Sequence, residues 1–258
     1  MDSHHQDILN RLIRLSHKLG DEQRGFAILG EGNTSADLGD ETFLVKASGS
    51  QLGTIDENGL TRVHMAPILE ALDEAADISD DEVRRRLEIS RVNQSARLPS
   101  VETFLHALCL KEGGAKWVGH THTISVLQIL CSIHGAEPFL RHVFPDAIVV
   151  CGRQLAVVPY IDPGIHLAVA VRQSLRDFIQ SHGTAPKVIL MENHGPVALG
   201  QTDAEVFNIM LMLDKWAKVI GGALAAGGPR FLDSTIADRI ENRPDEHYRR
   251  KAIGNLNS

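Results

Sequence analysis

Four short segments between Ala147 and Gly200, "AIVVCG", "LAVVPY", "KVILM" and "PVALG", contain almost no polar residues. Apolar runs of this length read as strands, and a strand without a polar face needs cover on both sides. Amphipathic stretches around them can supply it. Ile8, Leu12, Leu15 and Leu19 recur at helical spacing before Gly20, and Leu167, Val171, Leu175 and Phe178 do so behind Asp162 and Pro163. Capping boxes at Ser79-x-x-Glu82 and Thr202-x-x-Glu205 open two more helices, the second running to the glycines around Gly227. "PSVETFLHALCL" predicts another, with Ser100 as N-cap and Val101, Phe104, Leu105 and Leu108 on one face. "FAILG" and "TFLVKASG" read as two further strands, and "RVHMAPILEALDEA" as a helix starting near Pro67. The alternation predicts a layered α/β fold.

With 258 residues, 43% of them hydrophobic, and neither linker nor repeat, the chain is expected to form one domain over 1–258. Its core covers about 8–225, and a short helix with a polar tail follows over 226–258. A net charge of −7 without a basic stripe argues against nucleic acid, and the scarcity of Tyr and Trp argues against base-stacking platforms. No run approaches the ~18–20 apolar residues of a membrane span, and "MDSHHQDILNRLIRLSHKLG" lacks the apolar centre of a signal peptide. A soluble cytoplasmic protein is expected. Cys109, Cys131 and Cys151 sit in apolar runs without C-x-x-C spacing and read as small buried hydrophobes.

"LGEGNTSADLGDETFLVKASGS" contains Gly30-x-Gly32, the start of a dinucleotide fingerprint. Ser35 stands where the third glycine belongs, and a hairpin follows where a helix N-terminus should face the pyrophosphate. Two readings remain: a glycine-rich turn without a ligand, or a small-anion nest. The nest would use the backbone N–H groups of Gly32 to Ser35 with the side chains of Asn33 and Thr34.

His120-x-His122 lies in a predicted strand, where side chains two apart share a face and Thr121 points to the other. Two such imidazoles can reach one divalent cation at ~2.0–2.1 Å. His194 lies in "MENHGPVALG", at a turn between strands, and Glu102 in the first turn of its helix, where the dipole favours a carboxylate. Each has an ordinary explanation in a chain with thirteen histidines: a chance pair, a turn cap, a stabilising helix-terminal charge. Together, three histidines and an adjustable carboxylate suit a catalytic metal with an open position better than a closed structural one. No G-x-S-x-G, H-E-x-x-H or Walker A motif competes.

In order, "GEGNTSA", "KASGS", "PSVETFLH", "GHTHT", "VVPYIDPG" and "ENHGPVALG" resemble the class II aldolase/adducin family, over about residues 8 to 225. The resemblance implies a three-layer α/β/α domain with a central, largely antiparallel sheet, commonly assembled as a homotetramer. It implies Zn2+ (or Mn2+, Fe2+ or Co2+) on His120, His122 and His194, with Glu102 as catalytic acid/base that also touches the metal. Gly32, Asn33, Thr34, Ser48, Gly49 and Ser100 would hold the substrate phosphate. The implied activity is aldol cleavage or condensation of a small sugar phosphate or sugar acid through a metal-stabilised enediolate. A sugar-phosphate 4-epimerase or decarboxylase on the same site is the alternative.

Two departures stand out. Val101 replaces a serine common in the family's aldolases, which leaves Lys46 or Arg97 to compensate electrostatically, or a carboxylate in place of the phosphate. "HVFPDAIVVCG" has no counterpart of the tyrosine those aldolases borrow from a neighbouring subunit; Asp146 occupies roughly that place and is the expected second catalytic residue. His247 and Tyr248 resemble the epimerases' C-terminal His-Tyr segment, and equally an ordinary exposed tail.

Overall fold

The expected opening helix is α1 (Ser3–Leu19) in a computed structural model that describes residues 3–75, 78–241, 243 and 245. The hairpin that excluded a dinucleotide loop follows as β1 (Asn33–Asp37) and β2 (Thr42–Lys46), antiparallel, with Ser35 opposite Val45. Next come β3 (Leu60–His64), α2 (Met65–Asp73) and α3 (Asp80–Ser90), the last capped by the Ser79 side chain accepting from Glu82 N–H. Then α4 (Thr103–Lys111), β4 (Trp117–His120), α5 (Ile124–Leu130) and α6 (Pro145–Cys151) lead to β5 (Ala156–Val158) and α7 (Ile165–His182). The hairpin β6 (Val188–Met191) and β7 (Gly195–Gly200) precedes α8 (Asp203–Ala225), capped by Thr202, and α9 (Ser234–Glu241).

Among the described residues the strands form a seven-stranded sheet in the order β3-β2-β1-β4-β7-β6-β5. Its pairings are antiparallel except β5 with β6. Strand alternation divides the apolar residues between two cores. Leu44, Trp117, Leu190 and Ala198 face the layer that includes α1, α5, α6 and α8, whereas Val45, Val118, Ile189 and Val197 face α2, α4 and α7. The sheet is thus covered on both sides, as its apolar strands require. The architecture is the three-layer α/β/α fold with a largely antiparallel sheet. Among the described residues, no helix is long and apolar enough to cross a membrane.

Some local expectations are corrected. "AIVVCG" lies in a helix, α6 and its C-cap, not a strand: Pro145 starts it, and its apolar residues are shared between the sheet-facing core and a patch with Ala237 and Ile240 of α9. A short run buried on two sides has no period that separates helix from strand. "FAILG" forms no strand; Leu29 takes φ 56°, which a strand excludes. The unforeseen strand β3 is a sheet edge, and its Arg62 reaches Asp40 and Thr42 of the β1–β2 hairpin region, so its pattern is too polar to read as buried. Cys109 and Cys151 are buried, but Cys131, just past α5, is exposed. Helix α4 starts at Thr103, with Glu102 rather than Ser100 at the cap position.

Candidate metal centre

β4 ends at His120, and the chain turns through Thr121 to Thr123 into α5. The strand-like pleat persists far enough to bring His120 Nε2 within 3.1 Å of His122 Nε2. Thr121 turns the other way, its Oγ1 3.4 Å from Met210 Sδ and 2.9 Å from Thr123 Oγ1. His194 comes from the β6–β7 turn, where Asn193 takes φ 55° and Gly195 φ 140°. A Cβ on Gly195 would collide with the Thr121 carbonyl oxygen, so glycine lets this turn press against the H-x-H segment. The three rings meet edge to face, with centroids 4.9–5.0 Å apart.

Glu102 arrives from the start of α4. Its Oε1 lies 3.1 Å from His194 Nε2 and 3.5 Å from His120 Nε2, and its Oε2 accepts a hydrogen bond from Asn33 Nδ2. Burial by itself disfavours the carboxylate, yet attraction from His120 and the hydrogen bond with His194 outweigh it and hold Glu102 below the usual carboxylate range. Burial pushes His120 down to about 3, against the pull of Glu102, and lowers His122. With Nδ1–H donated to Pro196 O, 3.0 Å away, His120 can present Nε2 as a lone pair where a cation takes the place of its proton.

These donors suit a divalent cation. One ligand atom from each of His120, His122 and His194 lies within 4.8 Å of the others, and an ionised carboxylate faces the same point. Two nitrogens ~2.0–2.1 Å from one ion in tetrahedral array sit about 3.3 Å apart, close to the His120–His122 spacing. Two unprotonated nitrogens at that distance repel unless a cation or proton lies between them.

The expected phosphate residues separate into groups. Gly32 takes φ 69°, and a Cβ there would come within 2.8 Å of His120 O, so the glycine seats the loop against β4. Asn33, beside His120 in the sheet register, points at Glu102. Thr34 faces the opposite layer: fully buried, its hydroxyl lies 2.6 Å from Ser16 Oγ of α1. Its side chain is therefore removed from the pocket, and the nest over Gly32 to Ser35 does not form, because N–H groups in a strand point alternately to opposite edges.

Ser48 and Gly49 lie on an exposed loop. Arg97 holds it, Nη2 donating to Ser48 O at 2.8 Å and Nη1 to Ser50 Oγ at 3.0 Å. Ser100 N donates to Lys46 O at 3.1 Å, and Ser100 Oγ accepts from Glu102 N–H at 3.3 Å, which joins this loop to the start of α4. Val101 is 41% exposed. Asp146 occupies the first turn of α6, its carboxylate 3.5 Å from Lys215 Nζ of α8. His247 and Tyr248 lie outside the described residues.

Lys46, expected to compensate for Val101, gains a definite position, and Glu31 gains one that sequence reasoning did not assign. Lys46 is almost completely buried, donates to Gly30 O, and is pushed by burial down to about 8, Glu102 and Glu31 pulling the other way. Glu31 Oε1 stands 3.8 Å from His122 Nδ1. The middle position of G-E-G was the available signal.

The fold and this histidine cluster together define the class, a mixed sheet between helical layers with three histidines at the strand ends that could hold a metal ion. The chain belongs to the class II aldolase and adducin family: the model of the family's N-terminal domain matches residues 10–220. It is 30% identical to the 3-oxo-tetronate 4-phosphate decarboxylase of Escherichia coli over 207 residues, 77% of this chain and 79% of that one. The N-terminal class II aldolase domain of a conserved protein from Thermoplasma acidophilum superposes with TM-score 0.65 at 28% identity, covering 82% of this chain and 92% of that one. An L-fuculose 1-phosphate aldolase shares the fold with TM-score 0.68 at 20% identity, covering 93% and 96%.

Proposed function

We propose that this chain is a metal-assisted carbon–carbon lyase that decarboxylates a small phosphorylated 3-oxo sugar acid. The observation that carries the reading is the convergence of Glu102 Oε1 with the Nε2 atoms of His120 and His194, beside the His120–His122 pair. The decarboxylase name of its Escherichia coli relative supports the choice of outcome.

Decarboxylation breaks the bond between the carboxyl carbon and its neighbour. Carbon dioxide leaves, the electron pair passes to the 3-oxo group as an enediolate, and the carbon that lost the carboxylate takes up one proton from solvent. His120, His122 and His194 would hold a divalent ion, which when bound would supply Lewis-acid stabilisation of the developing oxyanion. In this reading Glu102 passes the proton to that carbon, and the hydrogen bond from Asn33 to its second oxygen supports the assignment. Aldol cleavage, the first expectation from the resemblance, needs in addition a base for the hydroxyl at the breaking bond. Decarboxylation needs only the group at the enediolate carbon, and Glu102 meets that need. Lys46, with Ser48, Gly49, Arg97 and Ser100, is assigned to the anionic end of the substrate, where orientation rather than chemistry is gained. The reading includes a cytoplasmic homotetramer, in which a neighbouring chain offers Asp146.

Incubation of the metal-loaded full chain with 3-oxo-tetronate 4-phosphate should release carbon dioxide, while ketose 1-phosphates should release little aldehyde. Aldehyde release without carbon dioxide would restore the aldolase reading, and stereochemical inversion without either product would establish an epimerase. Light scattering checks the four-chain assembly.

A further inference from the structure

We infer that Glu31 is a positioning residue for the metal centre, its carboxylate facing the Nδ1 side of His122 and so favouring the imidazole tautomer whose Nε2 lone pair is turned toward the ion. This rests on the metal reading above and adds a residue to it.

The three histidines differ on their outward sides. His120 donates Nδ1–H to Pro196 O, whereas His194 Nδ1 is buried without a hydrogen-bond partner among the described residues. His122 turns Nδ1 toward Glu31 Oε1 at 3.8 Å, about 1 Å more than a hydrogen bond. Because His122 Nε2 faces His120 Nε2, an acceptor at Nδ1 selects the tautomer that can ligate.

Glu31 is held for this task. Its backbone N–H donates to Ile28 O at 3.2 Å, and its Oε2 accepts from Ile28 N–H at 3.0 Å, so the turn is closed twice and Oε1 is left toward the histidine. Leu29 within the turn takes φ 56°, a conformation a leucine adopts only when its surroundings impose it. Lys46 ties Gly30 O from beneath, and Gly32 lies against His120 O. The carboxylate therefore stands on a loop tied by these contacts. It also adds a second negative charge to a pocket that otherwise carries Glu102.

The test is cobalt binding to the metal-stripped full chain, followed by its visible absorption in competition with a chelator, for wild type, Glu31→Gln and Glu31→Ala. In Glu31→Gln the single oxygen can still cap Ile28 N–H, which leaves the amide NH2 facing the Nδ1–H of His122, donor against donor. Both variants should bind cobalt roughly 10- to 100-fold more weakly than wild type. If Glu31→Gln binds like wild type, whether or not Glu31→Ala is weakened, Glu31 only holds the turn and the inference is overturned. A second readout stands apart from loop stability: in the zinc complex of wild type, nitrogen-edited NMR should show the His122 Nδ1 proton protected from exchange with water. An unprotected proton there also overturns the assignment. A wild-type chain that takes up no cobalt overturns the metal reading itself, and with it this inference, a result distinct from equal affinities in all three chains.

Discussion

Oε1 of Glu102 lies 3.1 Å from Nε2 of His194, joining the start of α4 to the β6–β7 turn across the sheet. The same oxygen is 3.5 Å from His120 Nε2, so one carboxylate answers to two imidazoles that burial keeps at the end of the strands. Glu102→Gln keeps the shape and removes the charge. Turnover should fall by about 10²- to 10⁴-fold while at least part of the metal is retained, as measured by steady-state kinetics beside elemental analysis of the same preparation.

Loss of a histidine should act on the metal first. Wild type is expected to carry about one divalent ion per chain, and His120→Ala close to none, since removing one of three histidines leaves too few ligands to hold it. Plasma emission analysis reads this directly, and a full complement in His120→Ala would sink the assignment.

Asn33 binds the far oxygen of Glu102 from β1. A hydrogen bond to the charged form favours that form, so Asn33→Ala should raise the apparent pKa of the Glu102 carboxylate. The limb of the kcat profile set by this carboxylate should move to higher pH, with kcat lowered by roughly 10-fold at its optimum. An unmoved limb would remove Asn33 from this role.

His106 offers a pH test on a histidine other than the three of the cluster. It is fully buried, bonded through Nδ1 to Ser35 Oγ at 2.7 Å, and pushed by burial down to about 4. The unfolded chain binds this proton near pH 6.5 and the folded chain does not until about pH 4. Stability is thus fully present above 6.5 and drains away as pH falls between those values. Urea unfolding of the metal-free chain should show His106→Asn losing about 2 kcal/mol less than wild type between pH 7 and 5. Equal losses would contradict it.

Gly195 tests the close approach that delivers His194. Alanine there must fit a Cβ against Thr121 O at φ 140°. Gly195→Ala should cost about 2 kcal/mol or more in denaturant unfolding and weaken metal binding in parallel. Wild-type values for both would mean that the turn can relax.

The sequence alone determined what local spacing encodes. The capped helices, the β1–β2 hairpin that excluded a nucleotide loop, the shared face of His120 and His122, and the turn carrying His194 are all set by residues within a few positions of one another. The apolar strands also required cover on two faces, and hence the layers. Tertiary structure decided the rest. Whether "AIVVCG" is helix or strand depends on α9 behind it, and β3 pairs as an edge through polar residues whose pattern shows no burial. Thr34 is taken from the pocket by Ser16 on a different element, and Glu31 is brought to His122 by a turn whose closure involves Lys46. Periodicity reports which face a residue shares with its neighbours in the chain. It carries no information on what stands opposite that face, and at this site the opposite partner decides where each side chain is held.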